Sequence, residues 1–196
     1  MKYQFTLIIS AVLMACNNQD LKTIESTPSS IVNTTRTNSN AFNSSFKPVL
    51  SIYYELKDNF IAENDLLIDS SARKLINAVD SVKLEEIFDD STVKYTAQTY
   101  TEGIKSELIG LLGEKLLDDK KKSFQMISEQ LYDLIRVVQF DGEIIYHHYC
   151  PMAFNNDGAT WMSSSTLILN PYLSSTMLNC GELRDSIDFK RKITTN

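Results

Sequence analysis

Ser123-Phe124-Gln125-Met126-Ile127-Ser128-Glu129-Gln130-Leu131-Tyr132-Asp133-Leu134-Ile135-Arg136-Val137-Val138 is the stretch that decides the fold. Phe124, Ile127, Leu131, Ile135 and Val138 recur every three or four residues, so they form one apolar stripe on an α-helix. Asp118-Asp119, just upstream, are suited to cap its start. The same spacing appears three times before it. Val49, Ile52, Tyr53, Leu56 and Phe60 follow Pro48, a residue suited to a first helical turn. Asn64-Asp65 breaks that run, and Ile68, Ala72, Leu75, Ile76 and Val79 mark a second helix. Leu84 to Asp90 reads as an irregular or short helical connection. A third helix is expected over about 92–112, with Tyr95, Thr99, Ile104, Leu108 and Leu111, ending near Gly113. Four amphipathic segments with short connections predict an antiparallel four-helix bundle. The fold class is therefore mainly α, with this bundle followed by a small irregular or β C-terminal segment.

That last segment begins after Phe140-Asp141-Gly142, a turn signal. Glu143-Ile144-Ile145-Tyr146-His147-His148-Tyr149 favours strand. The residues beyond it are rich in Asn, Gly, Ser and Pro, and they carry the only Trp of the chain, two cysteines and three methionines. The single helical-bundle domain with this Cys/Met segment is expected over 48–185, and 186–196 reads as a polar tail.

Upstream of Pro48 the character differs. Met1-Lys2 is followed by a short apolar run ending Leu13-Met14-Ala15-Cys16, which reads as a secretory signal over 1–15. The ending resembles a bacterial lipobox, in which Cys16 is acylated and becomes the mature N-terminus. A thioether-linked diacylglycerol buries many methylenes at roughly 0.8 kcal/mol each. Asn17 gives no inner-membrane retention signal, so the expected location is the cell envelope, on the outer membrane facing periplasm or surface. From residue 17 to 47, Asn, Ser and Thr fill 17 of 31 positions. Such a stretch buries too little apolar surface to offset its ordering entropy, so 16–47 is expected to be a lipidated Cys and flexible tether.

Composition bounds the function. The chain has 196 residues, 43% apolar and 22% charged, with a net charge of −6. One domain with a real core fits that length. The acidic balance argues against nucleic acid as a partner. No Gly-rich phosphate loop or serine nucleophile elbow is present. Cys150 with His147 or His148 are near neighbours on one strand without an orienting acid, so catalysis is not expected.

Two clusters carry the remaining chemistry: His147-His148-Tyr149-Cys150-Pro151-Met152 and Met177-Leu178-Asn179-Cys180-Gly181. Thiolate, thioether and imidazole are ligands for soft ions such as Cu(I) and Ag(I). Cys150, Met152 and His148 would share one face of an extended strand. Cys150, Met152, Met177 and Cys180, with His148 as a fifth donor, therefore form one candidate metal set. The other reading is a disulfide. With Cys16 assigned to lipid, Cys150 and Cys180 are the only thiols left in an oxidising compartment. Closing that loop of roughly 30 residues contributes about 3–4 kcal/mol by the chain-entropy estimate. Met152, Met162 and Met177 would then be packing residues.

The string from Tyr146 to Asn156, then Gly158-Ala159-Thr160-Trp161-Met162-Ser163, Asn170-Pro171-Tyr172 and Met177-Leu178-Asn179-Cys180-Gly181, resembles the domain-of-unknown-function 3347 family. The likeness covers roughly 48–185 and includes Ser123 to Ser128. Its pattern carries over onto Cys150, Pro151, Met152, Trp161, Asn170, Pro171, Tyr172, Met177, Cys180 and Gly181. Leu173-Ser174 departs from it, standing where the family has an aromatic residue and Gly. Such domains occur in bacterial envelope lipoproteins and at the C-terminal end of membrane-fusion subunits of copper/silver efflux pumps. The resemblance implies envelope heavy-metal handling, with efflux-pump or other envelope proteins as partners.

Overall fold

The computed structural model describes residues 38–88 and 90–190. The signal peptide, the lipidated Cys16 and most of the tether lie outside the described residues. Four helices come first: α1 (Asn40–Ile61), α2 (Asp65–Asp80), α3 (Ser91–Gly113) and α4 (Leu117–Val138). A 3-10 turn, Leu84–Glu86, joins α2 to α3. Three strands follow: β1 (Ile145–Cys150), β2 (Ala159–Ser163) and β3 (Glu182–Ile187). The protein is mainly helical, with a small antiparallel sheet of order β2-β1-β3 at its C-terminal end. No helix among the described residues is long and apolar enough to cross a membrane.

The first helix corrects the expectation that the folded body starts at Pro48. Helix α1 begins eight residues earlier, where the Ser39 hydroxyl accepts the Phe42 N–H. The polar composition hides Phe42 and Phe46, which continue the stripe of Val49, Tyr53, Leu56 and Phe60 and are fully buried. Phe42 stacks on Phe46 at 5.5 Å, and Phe46 meets Phe140 at 4.9 Å. Residues 40–47 are thus core-forming helix rather than tether. Pro48 sits inside α1, not in its first turn. It has no N–H to offer the Ser44 carbonyl, and the apolar face carries the helix through.

The other helices lie close to their expected bounds. Asn64 caps α2 by accepting the Leu67 N–H, and Asp90 caps α3 through Thr92 and Val93. Asp118 and Asp119 lie in the first turn of α4 instead of capping it, where they complement the helix dipole. On α3 the buried face is Ala97, Thr101, Ile104, Leu108 and Leu111, whereas Tyr95 and Thr99 point to solvent. Helix α1 packs on α2, α2 on α3, and α3 on α4, while α4 also packs on β2. Tyr53 fastens the sheet to the helices: its hydroxyl accepts the Met162 N–H at 3.1 Å and shares a 2.7 Å bond with Ser128 of α4. The buried Lys120 amine spans α4 to α2 through Asp65 and Asp69, each at 2.6 Å.

The expected polar tail over 186–196 also begins too early. Ser186 and Ile187 belong to β3, and Ile187 is buried against the core.

Candidate functional site

The site lies where the central strand ends. Cys150 is the last residue of β1, paired in register with Ala159 of β2. Pro151 has no N–H to extend the ladder, so the strand stops and Met152 turns outward. Cys150 is fully buried and Met152 is 47% exposed, so the two do not share a face as the sequence suggested. Phe154, Asn155 and Asn156 then take three successive left-handed conformations, with φ of 51°, 60° and 77°. Non-glycine residues pay of order 1 kcal/mol or more for each such conformation. Gly158 ends this turn at φ 86°, its N–H bonded to the Ala153 carbonyl at 3.0 Å.

The second thiol arrives on the loop between β2 and β3, which Asn170 organises. Its carboxamide oxygen accepts the N–H groups of Tyr172 and Leu173, and its Nδ2 donates to the Cys180 carbonyl at 2.8 Å. Pro171 and Tyr172 are buried beside it. The Tyr172 hydroxyl donates to the Thr160 carbonyl at 2.6 Å, and its ring lies against Phe124, Phe154 and Trp161. Ser174, the departure from the family pattern, needs no positive φ. Its hydroxyl instead donates to Glu63 at 2.9 Å, beyond the end of α1.

This framework brings the Cys150 and Cys180 sulfurs to 2.6 Å of each other. Cys180 is half-buried, and its N–H donates to the Met177 carbonyl at 2.9 Å. The Met152 N–H points at its sulfur. The contact with Cys150, followed by burial, holds the Cys180 thiol above its ordinary value, and the Met152 N–H partly offsets this. Gly181 follows at φ 142°, where a Cβ would meet the Trp161 ring at 2.8 Å and the Tyr149 carbonyl at 2.9 Å. Glycine is therefore required beside the second thiol. Met177 is 36% exposed. Both thioether residues are thus linked to Cys180 through their backbones, and both show side chain to solvent.

The histidines have other partners. His148 is fully buried, stacked on Trp161 at 5.4 Å, with Nε2 3.0 Å from the Ser165 carbonyl. A carbonyl only accepts, so Nε2 carries the proton and Nδ1 keeps a lone pair that is buried without a partner. Burial holds its pKa below the ordinary value. His147 stacks on Tyr132 of α4 at 4.0 Å, and its Nδ1 lies 3.3 Å from Asp185 of β3. Asp185 also accepts the Tyr132 hydroxyl at 2.8 Å. Burial likewise lowers the His147 pKa, opposed by Asp185. The acid beside His147 comes from β3, too far along the chain for its spacing to reveal. Among the described residues, no three His, Cys, Asp or Glu side chains converge as a metal-holding group.

Residues 49–141 match the model of a family described as a protein of unknown function, DUF3347. The match covers just under half of the chain, and over those residues the chain is similar to the DUF3347 family. The match runs from within α1 to just past α4 and stops before β1. The thiol pair therefore lies downstream of the matched DUF3347 segment, which includes none of the blocks from Tyr146 to Gly181 on which the sequence resemblance rests. No curated protein and no solved structure matches the chain.

Proposed function

We propose that this protein is a lipid-anchored envelope domain engaged in soft-metal handling, taking Cu(I) or Ag(I) on Cys150 and Cys180. The observation that carries this reading is the juxtaposed thiol pair, whose accessible member is flanked by two exposed thioether residues. A packing role accounts for Met162, which is fully buried, but not for Met152 or Met177. These two supply the soft donors that a d10 monovalent ion prefers. His148, the fifth donor expected from the sequence, is held by Ser165 and Trp161 and does not converge with the two thiols. Metal binding displaces the thiol protons. In this reading Cys16 holds the domain to the outer membrane, the helices form an antiparallel four-helix bundle, and the partners are efflux-pump or other envelope proteins. No catalytic step is assigned.

The test is titration of the full chain with Ag(I) under reducing conditions. One equivalent is expected to bind, with the Cys150→Ser/Cys180→Ser double variant losing it. Equal binding by both proteins refutes the reading.

The 2.6 Å sulfur approach favours a second reading, because separate thiols do not pack so closely. Here the pair is a structural disulfide in a non-catalytic interaction module of the envelope. Alkylation followed by intact-mass measurement of protein isolated without reductant separates the two: unreactive sulfurs support the disulfide, and two modified thiols support the metal site.

A further inference from the structure

The two sulfurs are close, yet their surroundings differ. Cys150 is sealed at the end of β1, beneath the Pro151 turn. Cys180 is half-buried in a loop fixed from three sides: its N–H on Met177, its carbonyl on Asn170, and the Met152 N–H at its sulfur. Any reagent from solution therefore reaches Cys180 before Cys150, while the pair stays positioned to rejoin.

Resting on the reading of this pair as a metal site, we propose that Cys150 and Cys180 form a reversible thiol–disulfide couple that gates the site, opened by an external thiol attacking Cys180 and expelling Cys150. In the opening step the external thiolate bonds to Cys180 Sγ as the Cys150–Cys180 bond breaks. The electron pair departs on Cys150, which takes a proton from water. A second external thiolate attacks the external sulfur of the mixed disulfide and releases Cys180, which is protonated in turn. The protein gains two electrons and two protons, and the two external thiols leave as one disulfide. A small external disulfide closes the pair by the same exchange in reverse. Closed, the pair offers no thiolate to an ion. Open, it offers two, with Met152 and Met177 joined to Cys180 through their backbones.

The experiment uses the full chain, first oxidised with oxidised glutathione and freed of excess. A short pulse of limiting glutathione is quenched with iodoacetamide, and the peptides are mapped by mass. Glutathione is expected on Cys180 and the alkyl group on Cys150, with at least tenfold preference. An even or reversed distribution overturns the assignment, as does failure of oxidised glutathione to close the pair. The Cys180→Ser variant, altered at a half-exposed position, is expected to leave Cys150 unmodified by oxidised glutathione. Modification as fast as in the parent protein contradicts the burial argument. Ag(I) is then added to both redox forms, with one equivalent expected on the reduced form and none on the oxidised. Equal uptake by the two forms overturns the gate. Absence of uptake by the reduced form refutes the metal reading itself, while the position of glutathione decides the couple independently.

Discussion

Replacing Phe46 with Ala tests whether the Asn/Ser/Thr-rich stretch before Pro48 belongs to the core. Phe46 is fully buried in α1 and lies between the rings of Phe42 and Phe140. Removing the ring forfeits a transfer free energy of about 2–3 kcal/mol. A residual void on the order of 100 Å³, at about 24 cal/mol per Å³, costs roughly another 2.4 kcal/mol. The expected loss is therefore about 4–5 kcal/mol, at the upper end for truncation of a buried Phe. For a body of this size that lowers Tm by roughly 8–20 °C. Urea denaturation followed by Trp161 fluorescence is the assay. This sole tryptophan is buried in β2, on a different element from Phe46. A drop in its midpoint would show that the start of α1 and the sheet unfold together. Ser44→Ala, at an exposed position of the same turn, should change stability by less than about 0.5 kcal/mol. A Phe46→Ala loss below about 1 kcal/mol would refute the reasoning and return residues 40–47 to the tether.

Tyr53→Phe leaves the buried Met162 N–H and Ser128 hydroxyl without their shared partner, so a loss of about 1–3 kcal/mol is expected by urea titration. Gly181→Ala puts a Cβ against Trp161 and the Tyr149 carbonyl at positive φ; it should cost about 1–3 kcal/mol and slow closure of the Cys150–Cys180 pair, read by thiol titration. Acid should weaken the fold through the histidines. His147 and His148 are held below their ordinary value by burial, with Asp185 opposing and Arg184, Arg136 and Lys57 reinforcing the shift. Below about pH 6.5 the unfolded chain binds more protons, so the urea midpoint should fall from pH 7 to pH 5; His148→Gln should flatten that slope, and an unchanged slope would count against the burial argument. Lys120→Met breaks the tie from α4 to Asp65 and Asp69; because Asp65 is solvent-exposed and can rehydrate, a loss of only about 1–2 kcal/mol is expected.

The helices were legible from their apolar stripes, whereas the one cap read from the sequence, Asp118-Asp119, lies inside the first turn of α4. Asn64 and Asp90 mark α2 and α3 within a residue or two. The start of α1 escaped because Asn and Ser dominate around Phe42 and Phe46, and Pro48 resembled a first-turn residue. Ser39 as a cap, with Phe42 and Phe46 in phase with Val49 and Tyr53, was the signal that could have found it. Strand β3 gave no alternation to read, since five of its six residues are exposed. At the site, pairing of the two thiol-bearing segments was legible from residue type. The exposure of Met152 was not, because extrapolating strand alternation through Pro151 ignores the turn that proline forces. The Asp185 partner of His147 depends on strand register, which local spacing does not encode.

Strand β1 is synthesised first of the three yet lies between the other two. Its β3 edge stays open until Glu182–Ile187 have been added. A protein cut back to residue 180 would keep both thiols and lose that covering strand. The unpaired N–H and C=O groups of β1 would then invite pairing with another chain. The short C-terminal stretch, charged and largely exposed, thus serves as a guard against self-association. Expression boundaries that stop at the last cysteine would yield aggregates instead of a smaller working domain.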